Sequence, residues 1–511
     1  MSSTRFRLAG ATCALMLVAV AGCTTGEGVD VDGADGASAG GVLNAAIGGE
    51  PDQLDPHKTS AYHSFQVLEN VFDTLVEPDA NLAPQPSLAT GWTTSDDQLT
   101  WTFTLREGVK FSDGSALTAE DVVYSYQRII DEKLNTAYKF GTVKSVAAAD
   151  PTTVVITLNA PTPNLLANLG GFKGVAIVQK ANVESGEITT KPIGSGPFAL
   201  GSYTSGDNIQ LVRNDNYWGE RPKLDGVRFS FVSDPTVALQ NLRGGEVQWT
   251  DNLPPQQVAA LRDGDDPTVE SLPSTDYWYV ALNQARKPYD DVNVRRAIAF
   301  ALDREAITKA AKFGLATVNQ TAIPQNSAFY YEYAPYRHDV NQARQLLDQA
   351  GVSDLTMDLM VTSEYPETVT AAQVIASQLA GIGVNVNIRT LDFAQWLDEQ
   401  GNGNFDSFML GWLGNIDPDE FYYAQHHSGG TFNFHKYHNP TVDQLLDRAR
   451  TETDQAARKQ QYEQVAKQIV DDASYIYLYN PDVAQGWSKQ VTGYQVRPDR
   501  AIRFRDVALA R

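Results

Sequence analysis

The chain has 511 residues, 42% of them hydrophobic and 10% aromatic, and its 62 acidic and 40 basic side chains leave a formal net charge of −22. That length exceeds what one hydrophobic core fills, so two or three domains are expected, with the composition of a folded globular protein rather than a disordered or membrane-spanning one. The acidic balance, with no clustered Lys/Arg stripe, excludes nucleic acid as a partner, because binding phosphates needs concentrated positive charge.

At the N-terminus, Arg5 and Arg7 precede the apolar segment Leu15–Ala21, and Gly22-Cys23 follows. A charged start, an apolar core too short to span a bilayer as a stable helix and a small-residue cleavage point make a targeting segment. Val20-Ala21-Gly22-Cys23 resembles the lipobox of bacterial lipoproteins. The resemblance implies that residues 1–22 are a signal peptide and that Cys23 carries a lipid on the outer face of the cell membrane. Cys13 falls in the removed part, so the folded part has no thiol for a disulfide, a metal or redox chemistry. Residues 23–41, rich in Gly, Ala, Asp and Ser, are expected to be a flexible tether.

A short strand is predicted over Gly41–Ala46, and a helix over Ser64–Val76 from the apolar spacing of Phe65, Leu68, Val71, Phe72 and Leu75. Between them, the polar, turn-rich Pro51–His63 ends in Ser60-Ala61-Tyr62-His63, a loop suited to face a cleft. Leu88–Trp92 and Leu99–Arg106 alternate as strands, Gly108–Gly114 is a turn with glycines set for positive φ, and Thr118-Ala119-Glu120-Asp121 opens a helix with acids in its first turn.

The run Leu88–Arg128 closely resembles the signature of the family 5 extracytoplasmic solute-binding proteins, the peptide and nickel receptors of ABC importers. The resemblance continues in order through Pro192–Phe198, Arg213–Trp218, Leu242–Glu246, Asp291–Ile298, Ala301–Glu305, Ala343–Leu347 and Asn439–Asp443, nearly the whole mature chain. Mixed strands and long helical segments already indicate an α/β protein with more than one lobe. The resemblance implies a two-lobed fold like that of periplasmic binding proteins, with a hinge and lobe I built from discontinuous pieces. Lobe I is expected over 42–275 and 485–511, with an inserted subdomain near 83–186, and lobe II over 276–484. The crossings fall near Ser274-Thr275-Asp276 and Asp482-Val483-Ala484.

Phe408–Asp419 is an apolar run that breaks into glycine, tryptophan, amide and carboxylate. One reading is a recognition loop: Gly411 and Gly414 admit close backbone approach, Trp412 offers a stacking face, and Asn415 and Asp417 offer groups that orient a ligand. The other is a strand end followed by an Asx-Pro turn. In the resemblance, dipeptide-binding members carry an acid for the ligand's α-ammonium where Asn415 stands, and an arginine for its carboxylate in the stretch matching Val361–Tyr365; both anchors are missing here. A buried ammonium without a partner costs several kcal/mol, so a short zwitterion is disfavoured unless Asp417 or Glu364 reaches it. Trp412, Phe393, Tyr62, Tyr277 and Asn433 instead suit the backbone of a longer peptide or the faces of a sugar.

His426, His427, His435 and His438 invite a metal reading, but His435 and His438 sit in a polar loop rather than on a fixed coordination face, and surface or cleft-edge histidines are expected, with no metal and no cofactor. Asp303-Arg304-Glu305 is expected to be solvated or capping. Catalysis is not expected. Gly194-Ser195-Gly196-Pro197 lacks hydrolase-elbow spacing, and Asp417 with Asp419, two positions apart in a turn, sets no distance between a pair of acids. The implied protein is a monomeric, non-enzymatic receptor that captures an oligopeptide and hands it to a membrane permease driven by separate ATPases. An oligosaccharide is the second ligand class, and a nickel or metal-chelate cargo the third.

Overall fold

The computed structural model describes residues 37–38, 40–264 and 266–510. The stretch read as a signal peptide, Cys23 and most of the expected tether lie outside them. The C-terminal end of the stretch 23–41 expected to be flexible is instead paired: Ala37–Ser38 runs antiparallel to Leu509–Ala510, Gly40 N–H donates to the Lys223 carbonyl and Gly41 N–H to Asp225 Oδ2. Small residues that cannot build a core can still add a strand edge, because backbone hydrogen bonds need no side chain.

One twelve-stranded sheet runs through the protein in the order 385–391, 356–362, 407–412, 277–282, 475–487, 249–250, 42–47, 226–231, 208–213, 198–204, with 268–273 and 316–318 also pairing with 475–487. The thirteen-residue strand Tyr475–Trp487 is shared between the lobes. Its first part pairs with Tyr277–Leu282, and its second with Thr268–Pro273. The chain crosses between them at Ser274–Asp276, where Ser274 Oγ donates to the Pro481 carbonyl at 2.6 Å, so the two passages lie side by side.

Three cores follow. Lobe I packs Leu43, Phe198, Val227, Phe229, Trp249 and Phe504. Lobe II packs Tyr279, Val280, Ile298, Leu359, Trp396 and Ile476. The third fills a four-stranded sheet, 89–94, 100–105, 153–158 and 143–150, covered by the helix Ala119–Asp131. That helix starts as expected, with Thr118 and Asp121 forming a capping box, and Gly108 and Gly114 take φ of +72° and +88°.

The helix predicted over Ser64–Val76 is only Tyr62–Leu68, and Val76 begins a strand. The apolar periodicity continues, but the backbone beyond it is engaged elsewhere: Gly196 N–H bonds to the Val71 carbonyl and Phe198 N–H to the Asn70 carbonyl. Asp303 caps the helix Arg304–Lys312, while Arg304 is buried, donating to the carbonyls of Tyr477 and Ala299 rather than to water. Among the described residues no helix is long and apolar enough to cross a membrane.

Candidate functional site

The strand Ser407–Trp412 lies antiparallel to Tyr277–Leu282, with Trp278 opposite Gly411. A Cβ at Gly411 would sit 2.8 Å from the Trp278 indole, so glycine there lets Trp278 lie across the strand and face a cavity of about 170 Å³ between the lobes. Trp278, Tyr365, Phe393, Trp412, Phe432 and Phe434 give this chamber its aromatic walls from lobe II. Tyr62, Phe65, Tyr138 and Lys173 close it from the other side. Trp412 packs on Phe432 with ring centroids 4.7 Å apart, and Phe393 meets Tyr365 edge-on at 5.6 Å.

Beyond Tyr62 and Tyr365, which border both, a second cavity of about 280 Å³ is lined by His63, Asp251, Lys312, Glu364, Glu367 and Arg500 among others. Tyr62 Oη donates to Asp251 Oδ2 at 3.2 Å and to the Arg500 carbonyl at 3.3 Å. Burial pushes the Asp251 carboxyl up, against the pull of Arg500 and His63, and its Oδ1 has no partner; His63 Nε2 and Arg500 Nε are likewise buried and unpartnered.

The lobes meet across the aromatic chamber through Lys139 Nζ, 2.5 Å from Glu420 Oε1. Burial opposes charge on Glu420, yet the Lys139 ammonium and the Ile416 and Asp417 amides hold its carboxyl below the usual range. Arg500 donates to Asp276 Oδ2 at 3.1 Å at the crossing, and Asp276 Oδ1 accepts the Gly414 amide at 2.6 Å. This arrangement is a closed cleft.

Four residues singled out in the sequence line the aromatic chamber together: Tyr62, Phe393, Trp412 and Asn415, the last buried with Nδ2 unpartnered. The other four do not reach it. Gly414, at φ +62°, supports the loop from behind: a Cβ would collide with the Asp499 carbonyl and lie 2.5 Å from Lys173 Nζ. Asp417 turns away, capping the helix Pro418–His426 and taking a bidentate pair from Arg458 at 2.6 and 2.9 Å. Asp419 pairs with Arg450 at 3.1 Å, so both acids of the loop are neutralised inside lobe II. Tyr277 is shut in the core against Phe421 and Tyr477, its hydroxyl donating to the Phe421 carbonyl. Asn433 uses its amide on the carbonyls of His427 and Tyr437 and the Tyr437 N–H, holding the turn whose neighbours Phe432 and Phe434 face the cavity.

The histidines correct a second expectation. His426 and His435 are fully buried rather than at a surface or cleft edge. Both bond the Ser474 hydroxyl, His426 also bonds Tyr477 Oη, and burial lowers the His426 pKa to about 3, so its imidazole is neutral. No group of three or more ligating side chains suited to a metal occurs among the described residues.

Sequence reasoning missed Trp278, Tyr365, Phe432, Lys139, Glu420 and Lys173. For Lys173 a signal existed: it is the only charge in the apolar run Leu165–Val178. A lone charge inside a buried segment is costly unless it meets a partner or a cavity.

Comparison with known proteins agrees with this geometry. The chain is 29% identical over 481 residues to the glutathione-binding protein GsiB of Escherichia coli O1:K1 / APEC, covering 91% of this chain and 94% of that protein. The solved structure of DppA from Helicobacter pylori in complex with peptide STSA superposes with a TM-score of 0.86 at 28% identity, covering 93% of this chain and 99% of that one. The oligopeptide-binding protein AppA of Bacillus subtilis, in complex with a nonapeptide, gives a TM-score of 0.86 at 25% identity over 93% and 100%. The family model of the bacterial extracellular solute-binding proteins, family 5 Middle, matches residues 83–433, and with the two-lobed fold around an enclosed cleft it places this chain in that family.

Proposed function

We propose that the protein is a lipid-anchored, monomeric receptor that closes on an oligopeptide and delivers it to the membrane permease of an ABC importer, without altering it chemically. The observation that carries this reading is the pair of adjoining cavities that share Tyr62 and Tyr365, one walled by aromatic rings and the other by charged groups, several of whose polar atoms have no partner. Aromatic faces accept a peptide's side chains and backbone, and unpartnered buried polar groups are stabilised once a ligand supplies the missing hydrogen bonds. Trp412, Phe393, Tyr62 and Asn415 are the proposed ligand contacts, with Gly414 and Asp417 shaping the loop beneath them. The rings also suit an oligosaccharide, but the charged groups of both cavities favour a charged cargo.

In this reading lobe I comprises residues 42–275 and 485–511, with the subdomain near 83–186 inserted in it, and lobe II residues 276–484. The lobes open about the paired passages at 274–276 and 482–484, and a ligand that touches both stabilises the closed form. Mass spectrometry of small molecules released by denaturing the purified protein is expected to show short peptides. Sugars or metal chelates alone in the released fraction would overturn the peptide reading.

Lipidation of Cys23 is part of the same proposal, resting on Val20–Cys23. Cys23→Ala is expected to move the protein from the membrane fraction to the soluble one with ligand binding unchanged, as measured by fractionation and calorimetry. A variant that stays membrane-bound removes the anchor from the account.

A further inference from the structure

The two cavities differ in the sign of their unneutralised charge. The aromatic chamber is lined by three ionisable acids and bases of fixed sign, Lys139, Lys173 and Glu420. Lys139 and Glu420 satisfy one another, which leaves Lys173 as the surplus cation. Its ammonium makes no hydrogen bond among the described residues. It is seated against Gly414 next to the unpartnered amide of Asn415, and only the distributed charges of Asp276, Glu420, Glu69 and Asp499 oppose the burial that lowers its pKa. The charged chamber has the opposite excess. Lys312 is taken by Glu367 at 3.1 Å and Arg500 by Asp276 at 3.1 Å. Asp251 takes hydrogen bonds from Gln66 and Tyr62 on Oδ2 and the more distant pull of Arg500 and His63, but it has no salt bridge and keeps a buried, unpartnered Oδ1. Glu364 bonds only to the hydroxyls of Thr362 and Ser363, and Asp482, at the rim of the same chamber, only to the Ser271 hydroxyl.

An ammonium without a salt-bridge partner at one end of the cleft, and the carboxylates of Asp251 and Glu364 without one at the other, make a fixed electrical axis. Away from bulk water such charges act strongly on a ligand, and each gains from a direct ionic partner where the protein supplies only more distant charges. A hydroxyl-rich neutral ligand would leave all three without that partner.

We propose that this cleft takes an elongated zwitterion in a single orientation, its carboxylate on Lys173 and Asn415 in the aromatic chamber and its ammonium against Asp251 and Glu364 in the charged one. Tyr62 and Tyr365, which border both chambers, flank the middle of the ligand. Lys173 thus supplies the carboxylate anchor that Val361–Tyr365 lacks. The proposal rests on the peptide-receptor reading and adds to it the direction of the peptide.

The test uses the whole protein and three pools of mixed-sequence short peptides: free at both ends, amidated at the C-terminus, or acetylated at the N-terminus. Retained peptides are eluted and quantified by mass spectrometry. Wild-type protein is expected to retain the free pool about 10- to 100-fold better than either blocked pool, the range for losing a hydrogen bond to a charged group. Lys173→Met is expected to erase discrimination against the amidated pool, while Lys173→Arg keeps it. Asp251→Asn combined with Glu364→Gln is expected to erase discrimination against the acetylated pool alone. Equal retention of free and amidated peptides by the wild type, which needs no variant to fold, overturns the proposal while the peptide reading stands. Discrimination that survives in Lys173→Met, or that is lost for the acetylated rather than the amidated pool, overturns the assignment of ends. Retention of none of the pools overturns the peptide reading itself.

Discussion

Arg458→Met is expected to destabilise the protein by about 3 to 5 kcal/mol, the usual consequence of leaving one member of a buried ion pair without the other. Arg458 is 2% exposed, and its guanidinium donates two bonds to Asp417 and one, through Nε, to the Ala449 carbonyl. The pair ties the helix Gln455–Asp471 to the start of the helix Pro418–His426, directly behind the loop that presents Trp412 and Asn415. Methionine keeps most of the hydrophobic volume beside Phe329 and Tyr462 but strands a largely buried Asp417 carboxylate. Urea unfolding followed by fluorescence measures the loss. Arg458→Met with Asp417→Asn is expected to recover a large part of it, because asparagine still caps the helix and carries no charge. A single variant as stable as the wild type would mean that the pair does not hold the loop.

Trp412→Ala is expected to weaken ligand binding by about 1 to 3 kcal/mol, the range for truncating a buried aromatic contact, while leaving the unfolding midpoint nearly unchanged. Trp412 ends its strand only partly buried, its ring tilted against Phe432 in the cavity wall. It packs at the edge of the lobe II core rather than inside it, which leaves part of the ring to whatever fills the chamber. Isothermal titration with the peptides recovered from the native protein, run beside Phe393→Ala, measures the difference. An unchanged affinity would put the energetic centre of recognition in the charged chamber. A large fall in stability would show that the indole belongs to the lobe II core instead.

Which sites could be read from the chain followed from how far apart the interacting groups lie in it. The capping box at Thr118, the positive-φ glycines 108 and 114 and the cap at Asp417 all depend on partners within a few positions, so residue order alone determined them. The glycines on either side marked Trp412, and with it Asn415, as candidates for a cleft, because glycine lets the backbone come close to a guest.

Tertiary structure decided what those groups do. Asp417 carried the same turn signature whether it faced a ligand or a core. Arg458, forty-one residues on, sends it inward. Tyr277 and Trp278 are adjacent aromatic residues in one strand, and the sequence favoured the first. The missing side chain at Gly411 and the rings of Phe421 and Tyr477 put the second in the cavity and the first in the core. Lys173, Lys139 and Glu420 acquire meaning only across the cleft, 281 positions apart in the case of the pair. Local sequence thus determined the elements, the caps and the family, since these rest on short-range backbone chemistry and ordered motifs. The polarity of the cleft belonged to the tertiary structure, because the counter-charge that leaves one ammonium free and neutralises another comes from a different lobe.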